Sequence, residues 1–256
     1  MDFNTYTFRS HQFGKIVGAS GKMTDGNKTY LRELYAGAVN KVRKEVTSKY
    51  FEKGLFEEES GITLLNQTIY KGQLVVKNTE RLNNGFVQGE CDVIKDGIVY
   101  DIKNAWDVFT FENSSLSHEY KWQLKCYMWL WQVDKARLFY CLNNTPDHIF
   151  ESEARKMLWN NFVSEDSPEY IEAYNNLKAK HTHDLKPLEE RFKVWDISLE
   201  NSDIDKMKEA VNNARTYLCE LHKEREERLA YNRSLMNPSK LTLHDGPITI
   251  HEIIKP

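Results

Sequence analysis

Asp96-Gly97 constrains this chain more than any other feature, because it separates two runs of strand-forming residues, Phe86–Ile94 and Ile98–Lys103. Asp and Gly tolerate the positive φ angles of a two-residue hairpin turn, so the dipeptide predicts a tight hairpin with a defined register. Lys95 then pairs with Ile98, Ile94 with Val99, Val93 with Tyr100, Asp92 with Asp101 and Glu90 with Lys103. Alternation sends Ile98, Tyr100 and Ile102 to one face and Val99, Asp101 and Lys103 to the other. On the first strand Val87, Cys91 and Val93 share a face, with Glu90 and Asp92 opposite them. Two carboxylates therefore stand across from each other, with a lysine two residues on. Like charges so placed destabilise a sheet. Either both are solvated on a wet face, or a hard cation sits between them and takes their oxygens as ligands.

A second carboxylate source lies upstream. Ser48–Gln67 predicts a helix whose buried stripe is Phe51, Leu55, Ile62 and Leu65. Glu58 falls on that stripe, whereas Glu57 and Glu59 point elsewhere. An ionised carboxylate facing a core is costly unless it is paired or bound to metal. Its two readings are metal ligation and a buried salt bridge to a lysine or arginine elsewhere. Three carboxylates and a lysine suit phosphodiester hydrolysis. Mg²⁺ takes oxygen ligands, keeps waters and binds phosphate; it also polarises a phosphoryl oxygen and acidifies bound water. Lys103 could orient or deprotonate that water, or stabilise developing negative charge.

The remaining chain predicts an α/β fold, a small central mixed sheet flanked by helices with a helical C-terminal extension. Helical spacing is read over Tyr30–Val46, Ser117–Gln132, Glu151–Lys180 with a break near Pro168, and Asp203–Leu229 with Ser202 and Asp205 as a capping box. Strands are read over Leu74–Asn78, Ala136–Leu142 and Glu190–Ile197. Residues 1–230 are taken as one domain and 231–256 as a C-terminal extension. A net charge of −3 argues against a bulk nucleic-acid coat, although a local basic groove remains compatible. The four cysteines have no C-x-x-C spacing, which excludes a zinc ribbon and predicts reduced thiols. No apolar run is long enough to span a bilayer, and Met1–Thr7 has no signal-peptide pattern, so a cytoplasmic protein without membrane contact is expected. His181 and His183 lack an accompanying Cys or acid cluster and are expected on an exposed loop. Gly18–Lys22 lacks the spacing of a phosphate loop. Trp122, Trp129 and Trp131 could stack on bases, but their helical spacing suits core packing.

Asp92 followed by Asp101-Ile102-Lys103 resembles the PD-(D/E)XK nuclease superfamily. Lys53-Gly54-Leu55-Phe56-Glu57-Glu58 is similar to the family's helical glutamate segment, and Gln123 with Tyr127 matches the Q-x-x-x-Y helix of its RecB-like and lambda-exonuclease-like branch. Met128-Trp129-Leu130 resembles phage lambda exonuclease locally, and Arg9-Ser10-His11-Gln12-Phe13-Gly14-Lys15 resembles the opening of YqaJ-type exonucleases. The resemblance covers about residues 8–142. It departs from the pattern at Cys91, where the usual proline is missing, and at Asp101, which replaces the commoner Glu. It implies a restriction-endonuclease-like core, Mg²⁺ or Mn²⁺ as cofactor and DNA as substrate, often cut from an end in phage recombination or DNA end processing. An associated single-strand annealing protein is implied too, and lambda-type rings make a homo-oligomer an open expectation. Asp92, Asp101, Glu58 and the Ile102 carbonyl would hold the metal, Lys103 would be catalytic, and Gln123 and Tyr127 would brace the site or contact DNA. Packing with one hydrogen bond is the alternative for that last pair. Arg9, Ser10 and Lys15 would contact phosphates near the cut end, or are ordinary surface residues. An endonuclease or nickase would use the same residues. A catalytically silent DNA-binding protein is the reading from another class, and the intact Glu58, Asp92, Asp101 and Lys103 set argues against it.

Overall fold

Asp96 and Gly97 both adopt positive φ, 53° and 73°, as a type I′ hairpin turn requires. The flanking strands pair in the expected register, Lys95 with Ile98, Ile94 with Val99 and Val93 with Tyr100. The computed structural model describes residues 2–18, 22–42, 53–54, 56–161 and 164–236, with the backbone alone at 160 and 161. In chain order the elements are β1 (Phe8–Arg9), a 3-10 turn (Ser10–Lys15), α1 (Asp25–Asn40), α2 (Glu58–Thr68), β2 (Leu82–Asn83), β3 (Val87–Gly89), β4 (Val93–Lys95), β5 (Ile98–Asn104), α3 (Val108–Glu112), α4 (His118–Trp131), β6 (Lys135–Cys141), α5 (Asp147–Asn161), α6 (Pro168–His181), a second 3-10 turn (Leu188–Glu190), β7 (Phe192–Ser198) and α7 (Asn201–Met236).

The fold is mixed α/β. A four-stranded sheet runs β4-β5-β6-β7, and a three-stranded one runs β1-β3-β2. In the larger sheet β5 and β6 are parallel, and β4 and β7 pair antiparallel on its edges. The parallel pair needs a crossover, which α4 supplies. Helices cover both faces. Val99, Ala136 and Leu138 pack with Leu124 and Met128 of α4, in a core shared with α1 and α7. Tyr100, Ile102, Phe139 and Cys141 pack with Leu64 and Leu65 of α2. Strands buried on both faces read as apolar runs, so Asp101 in the middle of β5 departs from its surroundings. Leu65 is fully buried, and Leu65→Ala should cost about 2–5 kcal/mol.

Several sequence expectations change. The run Phe86–Ile94 is two strands in different sheets, broken at residues 90–92. Cys91 therefore joins the α4-side core while Val93 faces α2, and the ladder ends at Val93–Tyr100, so neither the expected Asp92–Asp101 rung nor the Glu90–Lys103 rung forms. Leu74–Asn78 makes no ladder; Leu74 and Val76 are exposed, and only Val75 is buried. α1 begins at Asp25, earlier than Tyr30, because Thr24 and Asn27 form a reciprocal capping box that precedes the apolar stripe. It ends at Asn40, short of the expected Val46, because Lys41 turns into left-handed geometry and closes it; residues 43–46 lie outside the described residues, as do Phe51, Leu55 and the start of the Ser48–Gln67 helix. α7 starts two residues early, where the Asp203 carboxylate accepts the Glu200 N–H; the Ser202/Asp205 box is not the cap. That helix continues to Met236, through the expected boundary at 230. Pro168 does break the long helical region, at the first position of α6 with Ser167 as its cap.

Candidate active site

The ends of β5 and α2 open onto a cleft of 550 Å³ lined by Glu58, Asp92, Ile102, Lys103 and Tyr120, among others. Its floor is built by a local irregularity. In a continued hairpin the Ile102 N–H would go to a backbone carbonyl of the partner strand. Here it donates to Asp92 Oδ2 at 2.5 Å, while the Asp92 N–H still reaches the Tyr100 carbonyl at 3.2 Å. The aspartate side chain thus replaces the next rung of the ladder. This capture is the physical reason that the strand breaks at Asp92. A strand residue's N–H and C=O share an edge, so the Ile102 carbonyl points toward the same side as Asp92.

Asp101 projects to the α4 face of β5 and is 1% exposed. Gln123 Nε2 donates to Asp101 Oδ1 at 2.9 Å and to the Tyr127 hydroxyl at 3.0 Å. Lys103 Nζ stands 2.6 Å from Asp101 Oδ2, with Tyr120 beneath it at 5.7 Å from ring centroid to ammonium. Burial, and then the Asp101 charge, push the Asp92 carboxyl well above the usual carboxylate range. Burial alone would lower Lys103, but Asp101 and Asp92 more than offset it and leave the ammonium strongly favoured. A buried and a partly buried acid in one site with one lysine thus retain electrostatic strain that a further cation would relieve.

α2 approaches this floor through Gly61. A Cβ there would stand 2.5 Å from Ile102 Cγ2, so only glycine permits the contact. That contact sets the buried stripe of α2 as Glu57, Gly61, Leu64 and Leu65. Glu57 is therefore the more buried of the two glutamates. Glu58 lies at the flank of the helix, half-buried, and pairs with Lys77 at 2.9 Å. The counter-ion of Glu58 is thus a lysine on the extended segment before β2. Among the described residues no three His, Cys, Asp or Glu side chains converge closely enough to hold a metal ion. The donor set as it stands is the aspartate pair plus the Ile102 carbonyl. Mg²⁺ binds through one or two carboxylates while keeping several waters, so this all-oxygen floor fits that ion.

Ser10 is buried, and its hydroxyl donates to the Gln88 carbonyl at 3.0 Å, where it braces β3 instead of facing solvent. Arg9 and Lys15 are exposed. His11 lies among Arg9, Lys103, Lys15 and Arg81; burial first and then these cations lower its pKa. The motif reading missed Arg81, Tyr120 and Lys77. Tyr120 was accessible as the residue one turn before Gln123 on the same helix face. Arg81 and Lys77 had no local signal.

His181 and His183 are both buried, contrary to the exposed loop expected of them. The end of α6 folds onto the segment after β6: Thr145 N–H donates to the His181 carbonyl at 2.9 Å, and His183 N–H donates to Asn144 Oδ1 at 2.6 Å. Trp122 is buried, and Trp129 and Trp131 pack partly buried against the same core. Residues 19–21 of the Gly18–Lys22 segment lie outside the described residues.

No family model and no curated protein matches the chain. Solved structures do. A phage-related exonuclease from Haemophilus somnus 129PT superposes with a TM-score of 0.66 at 27% identity, covering 87% of this chain and 98% of that one. The alkaline exonuclease LHK-Exo from Laribacter hongkongensis superposes at 0.57 with 12% identity, over 88% of this chain and 94% of its own. Its complex with dAMP gives 0.56 with 12% identity, over 90% and 95%. At 12% identity the second likeness is one of fold. The chain is similar to phage-related and alkaline exonucleases over most of its length, in keeping with the family resemblance of its motifs.

Proposed function

We propose that the chain is a metal-dependent deoxyribonuclease acting from the ends of double-stranded DNA. The observation that carries this reading is the partly buried Asp92 beside the buried Asp101, with Lys103 2.6 Å from Asp101 and Asp92 and Lys103 lining an open cleft. The likeness to exonucleases supports it from outside the site, although fold alone does not assign an activity. Asp92, Asp101 and the Ile102 carbonyl would hold Mg²⁺, for which Mn²⁺ would substitute, with Glu58 as a further ligand. The metal would polarise the scissile phosphate and acidify a water.

The chain's own groups do the rest. Lys103 is held at Asp101 and faces the cleft, where it can orient the attacking water or take charge from the phosphoryl oxygens. Gln123 keeps the Asp101 carboxylate aimed by engaging the oxygen that Lys103 does not. Tyr127 fixes the other side of the Gln123 amide. Arg9, Lys15 and Arg81 lie in the neighbourhood of Lys103 through His11, and such cations suit a phosphate backbone. Ser10 is not among these contacts, because its hydroxyl is engaged inside. A place in recombination or end processing, with a single-strand annealing protein as partner, follows the family resemblance.

The decisive assay compares linear duplex with covalently closed circular DNA in Mg²⁺ and in chelator. Degradation of the linear form alone, and only with metal, is expected. Efficient loss of closed circles would replace the exonuclease with an endonuclease or nickase using the same residues.

A further inference from the structure

Each acid of the cleft has a partner drawn from elsewhere in the chain. Asp92 accepts the Ile102 N–H, Asp101 pairs with Lys103, and Glu58 pairs with Lys77. Lys103 belongs to the motif; Lys77 does not. Its segment is pinned to the site from behind. Asn78 donates its N–H to the Asp92 carbonyl at 2.8 Å and its side-chain amide to the Cys91 carbonyl at 3.0 Å. The backbone beside Lys77 is therefore fixed to the break between β3 and β4 that carries Asp92. Its ammonium reaches Glu58 and also feels Asp92 and Glu90, so it stands within the acidic edge of the cleft.

Lys77 is 45% exposed and Glu58 only 23%. A lysine ammonium is a compact charge on a flexible four-carbon stem, and this one has an open path to water. The partner it occupies is the carboxylate that a third ligand position calls for. Lys77 on Oε1 neutralises the carboxylate and so competes with a divalent cation for its charge. We propose that Lys77 is an exchangeable counter-ion: it holds Glu58 in the metal-free protein, releases it to the divalent cation, and so sets how tightly the site binds its metal. This rests on the nuclease reading and makes Lys77 a positioning residue for that site.

The test is isothermal titration calorimetry of the full chain with Mn²⁺ alone. It compares wild type, Lys77→Met, Lys77→Arg, Glu58→Gln and the Lys77→Met/Glu58→Gln double variant. Melting curves check that each is folded. Ending the competition of the ammonium for Glu58, an exposed ion pair, should tighten Mn²⁺ binding about twofold to fivefold in Lys77→Met. Lys77→Arg should stay within about twofold of wild type, since it keeps the charge. In the Glu58→Gln background the Lys77→Met change should lose its effect. Binding by Lys77→Met that is unchanged or weaker overturns the proposal. So does a gain that persists without the Glu58 charge, because that is general electrostatics and not exchange at Glu58. Failure of the nuclease reading looks different: wild type then binds no Mn²⁺ and leaves linear duplex intact. No binding by either wild type or Lys77→Met overturns both.

Discussion

The floor and the rim of the cleft each hold a carboxylate–lysine pair, and the two behave differently. On the floor Asp101 is 1% exposed, its lysine 27%, and both carboxylate oxygens are engaged, one by Gln123 and one by Lys103. At the rim Glu58 is 23% exposed, its lysine 45%, and a single contact joins them. Exposed pairs contribute little, because solvent screens them and the long side chains lose entropy. Buried pairs are costly to break, because a lone charge is left behind. The floor is thus a preorganised assembly, and the rim is one that can be rearranged.

The largest effect should come from breaking the floor. Asp101→Asn removes a proposed ligand position while keeping volume, and cleavage of linear DNA should fall about a thousandfold or more. The substitution relieves the repulsion on Asp92, and the partly exposed Lys103 it leaves unpaired stays near Asp92, so the metal-free variant should melt close to wild type. Mn²⁺ should raise the wild-type melting temperature and leave that of Asp101→Asn nearly unmoved, which calorimetry reads directly. A variant that cleaves normally would remove Asp101 from the site. Lys103→Ala follows, with an expected loss of about 10²–10⁴-fold in kcat and a retained fold by circular dichroism.

Next is the brace. Gln123→Leu keeps the helix but frees Asp101 Oδ1, and a second-layer partner of this kind costs about 10–100-fold in activity or metal affinity. Wild-type kinetics in that variant would reduce Gln123 to packing. At the rim Glu58→Gln should lower activity about tenfold at limiting Mg²⁺ and less at saturating Mg²⁺, a pattern a purely structural role would not give. Tyr127→Phe is smallest. It removes one acceptor from the Gln123 amide, worth about 1 kcal/mol, or roughly fivefold in rate.

The same contrast separates what the sequence could reveal from what it could not. The register of the hairpin was legible because Asp96-Gly97 admits few turns, and the alternation after it placed Asp101 and Lys103 on one face. The helix of Gln123 and Tyr127 was legible to within a residue at each end, since Ser117 caps it and Gln132 closes it in left-handed geometry. The break at Asp92 was not, because it depends on a side chain taking a backbone N–H from another strand. Glu57 and Glu58 are neighbours on a helix, and which one turns inward is decided by Gly61 meeting Ile102, a contact made far from either in sequence. The histidine pair was misplaced for a similar reason: nothing local to residues 181–183 announces that Asn144 and Thr145 fold over them. Lys77 read as part of a strand and gave no hint of its partner.

The Asp96-Gly97 turn has a consequence for how such a chain can change over evolutionary time. Solvent-facing turns between short strands ordinarily accept insertions and deletions more readily than any other part of a domain. Adding or losing one residue here would slip β4 against β5 by one step, and a one-step slip carries every side chain to the opposite face. Asp92 would then lose its hold on the Ile102 N–H and its place beside the Asp101 charge. The length of this turn should be as intolerant of change as the identity of the acids it aligns, and drift in loop length is expected to accumulate elsewhere on the surface.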